Sequence, residues 1–206
     1  MSMLFCVACC VVLGTAQKYD YRICVYFYVL HTVQNSHSYH SPRPTKLKRL
    51  QTTKPIIMIG PGTGILPMRA LLQERDYQKN TLSLPVGSNT LYFVCKKCSL
   101  DYLYSSELEE YQTTGALDDL YLAFSREQDK KVYVQHLLKK NGKKTWDLID
   151  GGGAYVYVCG GVRMGSDVGE ALRGIVSDDG GRSGEEAKEY MDGMAGEGRY
   201  VQELWA

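Results

Sequence analysis

Several shortages narrow the class of this protein before any motif is considered. Its charges nearly cancel, with 24 Lys and Arg against 23 Asp and Glu, which excludes an acidic tail and a surface dominated by nucleic-acid contacts. No apolar run reaches the ~18–20 residues of a membrane-spanning helix. No proline follows Pro85. Hydrophobic residues make up 44% and charged residues 23%, so the 206 residues are typical of a globular domain with an appendage.

The cysteines do not form the even set expected of a disulfide framework. There are seven, and four of them fall within the first 24 residues. Such an odd count indicates reduced thiols that face the cytosol. Cys95 and Cys98 form a C-x-x-C pair, but a redox pair should open a helix after a strand, and zinc needs two further ligands. The sequence shows no second pair, so we expect an ordinary pair of thiols and no metal site.

Residues 1–45 differ from the rest of the chain. Two short apolar runs, Met3–Ala16 and Ile23–Leu30, precede a polar stretch and a linker at Pro42-Arg-Pro44. The small residues Gly14–Ala16 would suit a signal-peptide cleavage site, but the positive segment that should precede the apolar run is missing. We therefore predict an irregular, non-homologous or poorly ordered leader over 1–45, with a secretory signal as the alternative, and one domain over 46–206.

Regular patterns begin near residue 53, where apolar runs alternate with amphipathic segments. Strands are expected at Lys54–Ile59, Leu91–Cys95, Leu120–Phe124, Ala154–Cys159 and Tyr200–Trp205. Helices are expected at Ile65–Tyr77, Ser105–Thr113 and Val132–Lys140, around Val168–Val176, and after a capping box at Ser183 and Glu186. Alternating strands and helices predict an α/β fold with a parallel sheet covered by helices on both faces. Glycines within the last two helices should weaken them.

A glycine-rich turn follows the first predicted strand. Gly60-Pro-Gly62-Thr63-Gly64 joins that strand to a helix, so its backbone N–H groups could face a phosphate. The turn is not a Walker A loop, because no Gly-Lys-Ser/Thr follows, and its G-x-G-x-G spacing differs from G-x-G-x-x-G. The pattern alone fits a phosphate site and a tight turn without ligand equally well.

Basic and hydroxyl side chains cluster after the third predicted strand. Ser125 and Arg126 end that strand, and Lys131 and Tyr133 follow closely. Ligands of parallel α/β sheets bind at the carboxyl ends of the strands. A hydroxyl, a guanidinium and an ammonium suit a ribose 2′-phosphate, and Tyr133 could stack on adenine. The alternative is a solvated basic helix start.

Seven ordered segments of the chain carry a family resemblance. They are 55–64, 73–75, 101–108, 123–128, 131–138, 154–161 and 198–205. Together they resemble the NADPH-binding domain of the diflavin reductases, a family that includes the NADPH–cytochrome P-450 (haemoprotein) reductases. The resemblance covers about residues 46–206. It implies a Rossmann-like domain of the ferredoxin–NADP reductase type and an NADPH-dependent flavoprotein oxidoreductase. The run from Ser125 to His136 favours the cytochrome reductases over the sulfite reductase, nitric oxide synthase and methionine synthase types.

The resemblance also implies roles for individual residues. Cys159 would lie beside the nicotinamide and the flavin N5, Glu203 near the hydride path, and Trp205 on the FAD ring. The residues implied to bind the cofactor are Gly62, Thr63, Gly64, Ser125, Arg126, Lys131, Tyr133, Gln135, Asp167 and Trp205. The chain departs from the family at Leu66, Met68 and Gly161, and the Arg163-Met164 stretch is one residue short.

The resemblance further implies domains that are not encoded here. Family members place an FMN domain, a connecting domain and an FAD-binding barrel ahead of this segment, and residues 1–45 do not resemble them. We expect this chain to be the NADPH-binding half of a reductase, separated from the other domains by truncation or by the gene model. In the complete family, hydride passes from NADPH to FAD, and electrons pass through FMN to a haem protein such as cytochrome P-450. The alternatives are a non-catalytic NADP-binding module and a degenerate fragment that does not fold stably because its last helices are weak. The implied location is the cytosolic face of the endoplasmic reticulum membrane, or the cytosol for the isolated chain.

Overall fold

The computed structural model describes residues 53–127 and 131–205 and shows a five-stranded, all-parallel sheet. The predicted leader over 1–45, and its boundary with the domain, lie outside the described residues. The strands are β1 (Ile56–Ile59), β2 (Asn89–Cys95), β3 (Asp119–Phe124), β4 (Tyr155–Gly161) and β5 (Tyr200–Trp205). Their order across the sheet is β3-β2-β1-β4-β5. The predicted α/β fold with a parallel sheet is therefore confirmed.

Helices cover both faces of this sheet, as the alternating pattern predicted. They are α1 (Ile65–Asp76), α2 (Cys98–Asp101), α3 (Ser105–Thr113), α4 (Val134–Lys140), α5 (Gly142–Ile149), α6 (Val162–Asp178) and α7 (Gly184–Gly196). A π-helical turn, Tyr77–Thr81, extends α1. Helices α1 and α3 pack on one face, and α4 to α7 pack on the other. The capping box that predicted the start of α7 is present, since Ser183 Oγ accepts from the Glu186 amide.

The central strands are apolar throughout because both of their faces are covered. All four residues of β1 are fully buried, with Ile57 and Ile59 in the core beneath α4 to α7, and Ile56 and Met58 in the core beneath α1 and α3. Their alternation follows from the two-residue period of a strand. Strand β1 therefore forms the fully buried centre of the sheet. The loop at its carboxyl end leaves a strand that is packed on both faces.

Two helices, the short α2 and the longer α5, were absent from the sequence prediction. Asn141-Gly142 was interpreted as the end of a helix, yet α5 begins at Gly142 directly after α4. Glycine is an ordinary stop signal, but here it allows close packing, because a Cβ at Gly142 would lie 2.3 Å from Asp179 Oδ2. The chain bends at Asn141 and starts a second helix that buries Trp146 and Ile149.

Glycines inside the last two helices lead to a first testable expectation. Gly174 lies within α6 and has nothing within 4 Å of its would-be Cβ. Gly174→Ala should therefore raise the free energy of unfolding by about 0.5–1 kcal/mol, measured from the urea midpoint. Gly169→Ala, in the same helix, should gain less, because its Cβ would meet the Tyr200 hydroxyl at 3.3 Å. A lower midpoint for Gly174→Ala would contradict this account.

Among the described helices, none combines the length and the apolar character needed to cross a bilayer.

Candidate functional site

The strand order creates a crevice between β1 and β4. From β1 the chain proceeds outward to β2 and β3, and it then returns to the other side of β1 to form β4 and β5. Ligands of open α/β sheets bind outside the carboxyl ends of the strands at such a switch point. The glycine turn leaves β1 here, beside the end of β4, because Ile59 pairs with Val158.

The glycine turn is one turn of 3₁₀ helix, Gly62–Gly64, that leads into α1. Gly62 has φ +58°, a conformation that favours glycine. Gly64 has ordinary helical angles, but a Cβ on it would lie 2.1 Å from the Cys159 carbonyl oxygen. Thr63, between them, is exposed. The glycines therefore let the turn touch the end of β4 and leave the Thr63 side chain at the surface.

The three residues predicted near the reacting atoms lie on one face of the sheet. Cys159 pairs with Glu203 and Gly161 pairs with Trp205 in the β4–β5 register, so Cys159, Glu203 and Trp205 share a face. Cys159 is buried, and Trp205 is half-buried against the core beneath α1 and α3. Glu203 Oε2 is buried with no hydrogen-bond partner among the described residues. An acceptor left this way is open to a ligand's donor group.

Ser125 and Arg126 follow β3 and are hydrogen-bonded to residues at the end of the neighbouring strand, β2. The Ser125 amide donates to the Cys95 carbonyl over 2.8 Å, and the Arg126 amide donates to the Lys96 carbonyl over 3.0 Å. Glu127 Oε1 accepts from the Cys98 amide over 2.9 Å. The nearby acidic group is therefore engaged by the C-x-x-C turn, while the Arg126 side chain is exposed.

The start of α4 carries the remaining predicted contacts. Lys131 is exposed, and Tyr133 keeps 45% of its surface accessible. The Tyr133 amide donates to His136 Nδ1 over 3.1 Å, so His136 caps the helix. Gln135 Nε2 donates to Asp167 Oδ2 over 3.3 Å, which joins the first turn of α4 to the second turn of α6.

The predicted residues therefore gather at the carboxyl edge of the sheet in two groups. The reaction group, at the ends of β1, β4 and β5, comprises Gly62, Thr63, Gly64, Cys159, Glu203 and Trp205. The recognition group, at the end of β3 and the starts of α4 and α6, comprises Ser125, Arg126, Lys131, Tyr133, Gln135 and Asp167. The roles of these residues stay predictions, but their common edge is a property of the fold.

Two features of the site were missed or left open by the sequence. The C-x-x-C turn holds residues 125–127 by hydrogen bonds, and its signal was the pair of cysteines at the end of a predicted strand. The shortened stretch at Arg163-Met164 corresponds to a direct passage from β4 to α6, since β4 ends at Gly161 and α6 begins at Val162. Gly160 accommodates this passage, because a Cβ there would lie 2.2 Å from Met164 Cε.

Comparison with known proteins agrees with this architecture. The family model for the oxidoreductase NAD-binding domain matches residues 58–170, which include the second half of β1, the glycine turn and β2 to β4. This chain belongs to that family. The match covers the end of β3, the first turn of α4 and the first two turns of α6, and so includes the whole recognition group. Membership of the family identifies the chain as a nucleotide-binding domain of an oxidoreductase and confirms the predicted fold type.

Curated relatives narrow the resemblance further. The chain is 43% identical over 157 residues to the NADPH–cytochrome P450 reductases of Bos taurus and Rattus norvegicus, and 42% identical to that of Homo sapiens. Each match covers 76% of this chain and 23% of the relative. The resemblance found in the sequence is therefore confirmed. The chain spans about a quarter of the length of these curated relatives.

Proposed function

We propose that this chain is the NADPH-binding domain of an NADPH–haemoprotein reductase. The observation that carries the proposal is the common placement of both residue groups along one sheet edge that includes the switch point. The confirmed family membership and the likeness to NADPH–cytochrome P450 reductases support it. NADPH, when bound, supplies a hydride, and the residues of this chain bind and orient the NADPH molecule.

The chemistry of the recognition group fits a 2′-phosphate. Ser125 offers a hydroxyl, and Arg126 and the exposed Lys131 offer positive charges. Such donors suit a dianion, whereas a 2′-hydroxyl would favour an acidic partner. The Glu127 carboxylate nearby already accepts from Cys98. We therefore expect discrimination in favour of NADPH over NADH, with the exposed Tyr133 ring available to stack on adenine.

The reaction group fits the other end of the cofactor. The unpartnered buried Glu203 Oε2 offers an acceptor for a polar donor. Cys159 provides a buried, apolar floor on the same face of the sheet. Trp205 provides a half-buried aromatic ring that packs against the core on the same face. These residues orient the reacting end, and their contribution is positioning and electrostatics.

The proposal extends to partners by resemblance. The complete protein would contain an FAD-binding domain that receives the hydride, an FMN domain, and a haem-protein acceptor such as cytochrome P-450. It would act on the cytosolic face of the endoplasmic reticulum membrane, in keeping with the pattern of seven cysteines. A non-catalytic NADP-binding role is the competing proposal, and flavin content of the purified chain distinguishes the two.

Calorimetric titration with 2′,5′-ADP and, separately, with 5′-ADP tests the nucleotide site. We expect 2′,5′-ADP to bind at least tenfold more tightly, because the phosphate adds charge-assisted hydrogen bonds. Equal affinities would refute the 2′-phosphate site while leaving the fold intact. Binding of neither ligand by a chain that melts cooperatively would refute the proposed function as a whole.

A further inference from the structure

The C-x-x-C turn, residues 95–98, has the setting that the sequence could not establish for a redox pair. Cys95 is the last residue of β2, and Cys98 is the first residue of α2. The pair therefore spans the junction between a strand of a parallel α/β sheet and a short helix that Cys98 opens, and C-x-x-C near such a pattern is typical of dithiol chemistry. Cys95 is only 4% exposed, whereas Cys98 is exposed. One thiol is accessible to an oxidant, and the other is shielded behind it.

The two thiols are near neighbours. The Cys95 thiol donates to the Lys97 carbonyl oxygen over 3.9 Å, next to Cys98 in the chain. Burial, together with the charges of Asp101, Cys98 and Glu127, raises the pKa of Cys95 to about 11. Burial raises the pKa of the Tyr102 hydroxyl, and the charges of Glu109, Cys98 and Cys95 raise this pKa as well. The two cysteines therefore flank a turn of only two residues, and the Cys95 thiol is bonded to the carbonyl that directly precedes Cys98.

The turn is also bonded to the recognition group. Carbonyl oxygens of Cys95 and Lys96 accept from the amides of Ser125 and Arg126, and the Cys98 amide donates to Glu127. Each residue from 125 to 127 thus has a hydrogen bond to the C-x-x-C turn. A change in the backbone of this turn must displace the segment that carries Ser125 and Arg126.

We infer that Cys95 and Cys98 form a reversible dithiol–disulfide pair, and that its oxidation weakens nucleotide binding at the adjoining recognition group. This inference rests on the proposed function for its effect on binding. A metal site is the other use of paired thiols. Within the described part of the chain, however, no group of three or more Cys, His, Asp or Glu side chains could hold a metal ion.

The oxidant would be a low-molecular-weight disulfide such as glutathione disulfide. The Cys98 thiolate attacks one sulfur of the oxidant, an S–S bond forms to Cys98, and one glutathione thiolate leaves. The Cys95 thiolate then attacks the Cys98 sulfur, and the second glutathione leaves. The two protein thiols are oxidised, the glutathione disulfide is reduced, and the two thiol protons end on two glutathione molecules. Because Cys95 is mostly protonated near neutral pH, the second step should be slow there and faster at higher pH.

Trypsin makes the disulfide directly observable. Lys96 and Lys97 lie between the cysteines, so cleavage after either residue places Cys95 and Cys98 on separate peptides. After treatment of the full chain with glutathione disulfide, we expect mass spectrometry to find these two peptides linked, and dithiothreitol to separate them. In the same samples, calorimetry should show the affinity for 2′,5′-ADP reduced about tenfold on oxidation and restored on reduction.

Cys98→Ser is the matched control, because it keeps every other thiol, including Cys159. It should bind 2′,5′-ADP like the reduced protein before and after oxidation. The inference is overturned if the reduced chain binds 2′,5′-ADP but no linked peptides form. It is equally overturned if the linkage forms with unchanged affinity, or if oxidation weakens binding in Cys98→Ser as well. Failure of the reduced chain to bind would instead refute the proposed function, and this is measured first.

Discussion

Gly64→Ala should lower the free energy of unfolding by about 2–4 kcal/mol, an effect in the range of overpacked core substitutions. The backbone of Gly64 has φ −62° and ψ −11°, which alanine adopts readily. The loss of stability arises only from steric overlap, since the new Cβ would lie 2.1 Å from the Cys159 carbonyl oxygen. Two backbone segments must move apart, so binding of NADP should also weaken at least tenfold. Urea denaturation and calorimetric titration measure the two effects.

Gly62→Ala is the control that separates space from backbone strain. Its Cβ would meet nothing within 4 Å, but its φ is +58°. The left-handed conformation should cost about 1–2 kcal/mol, with no displacement of β4. A wild-type midpoint and wild-type affinity for Gly64→Ala would show that the turn and β4 are not in the close contact described here.

Arg126→Ala should reduce the affinity for NADP by about 1.5–3 kcal/mol, the size of a hydrogen bond to a charged group. This corresponds to roughly a 10- to 150-fold rise in Kd. Because the guanidinium is assigned to the 2′-phosphate, binding of NAD should be nearly unchanged. The exposed position of Arg126 at the end of β3 makes a loss of stability small. Calorimetry with both nucleotides provides the measurement.

Lys139→Ala is the matched control for net charge. Lys139 lies in the last turn of α4, at the opposite end from Lys131, and is exposed. Removal of the Lys139 charge should leave the affinities for NADP and for NAD unchanged at physiological salt. An exposed charge at the far end of α4 is largely screened from the nucleotide. An equal loss of NADP and NAD binding in Arg126→Ala would refute the assignment to the 2′-phosphate.

The sequence predicted those parts of the structure that depend on local patterns. The bounds of α3 and β5, and the capping box of α7, follow from spacing within a few residues. The glycine turn was likewise visible after an apolar run. Helix α5 was missed because Gly142 resembles a stop signal, and only the structure shows that the Asp179 carboxylate packs against this glycine.

Contacts between distant segments could not be predicted in the same way. The approach of Gly64 to Cys159 and the hydrogen bonds of residues 125–127 to the C-x-x-C turn join positions that share no sequence period. Such contacts follow from the strand order, which places β1 beside β4 and β2 beside β3. The residue pattern indicated the glycine turn and the cluster from Ser125 to Tyr133, and the resemblance added Gln135, Asp167, Cys159, Glu203 and Trp205. The topology then placed both groups along one edge of the sheet.

The strand order also sets a length. Neighbouring strands lie about 4.8 Å apart, and β3 is separated from β4 by three such steps and from β5 by four. The sheet thus sets a distance of about 14–19 Å between β3, where a phosphate would be recognised, and β4 and β5, where a reacting ring would be held. A mononucleotide spans only part of this distance. Under the proposed function, a ligand that touches both ends must span about this distance, so the width of the sheet would set the length of the bound ligand.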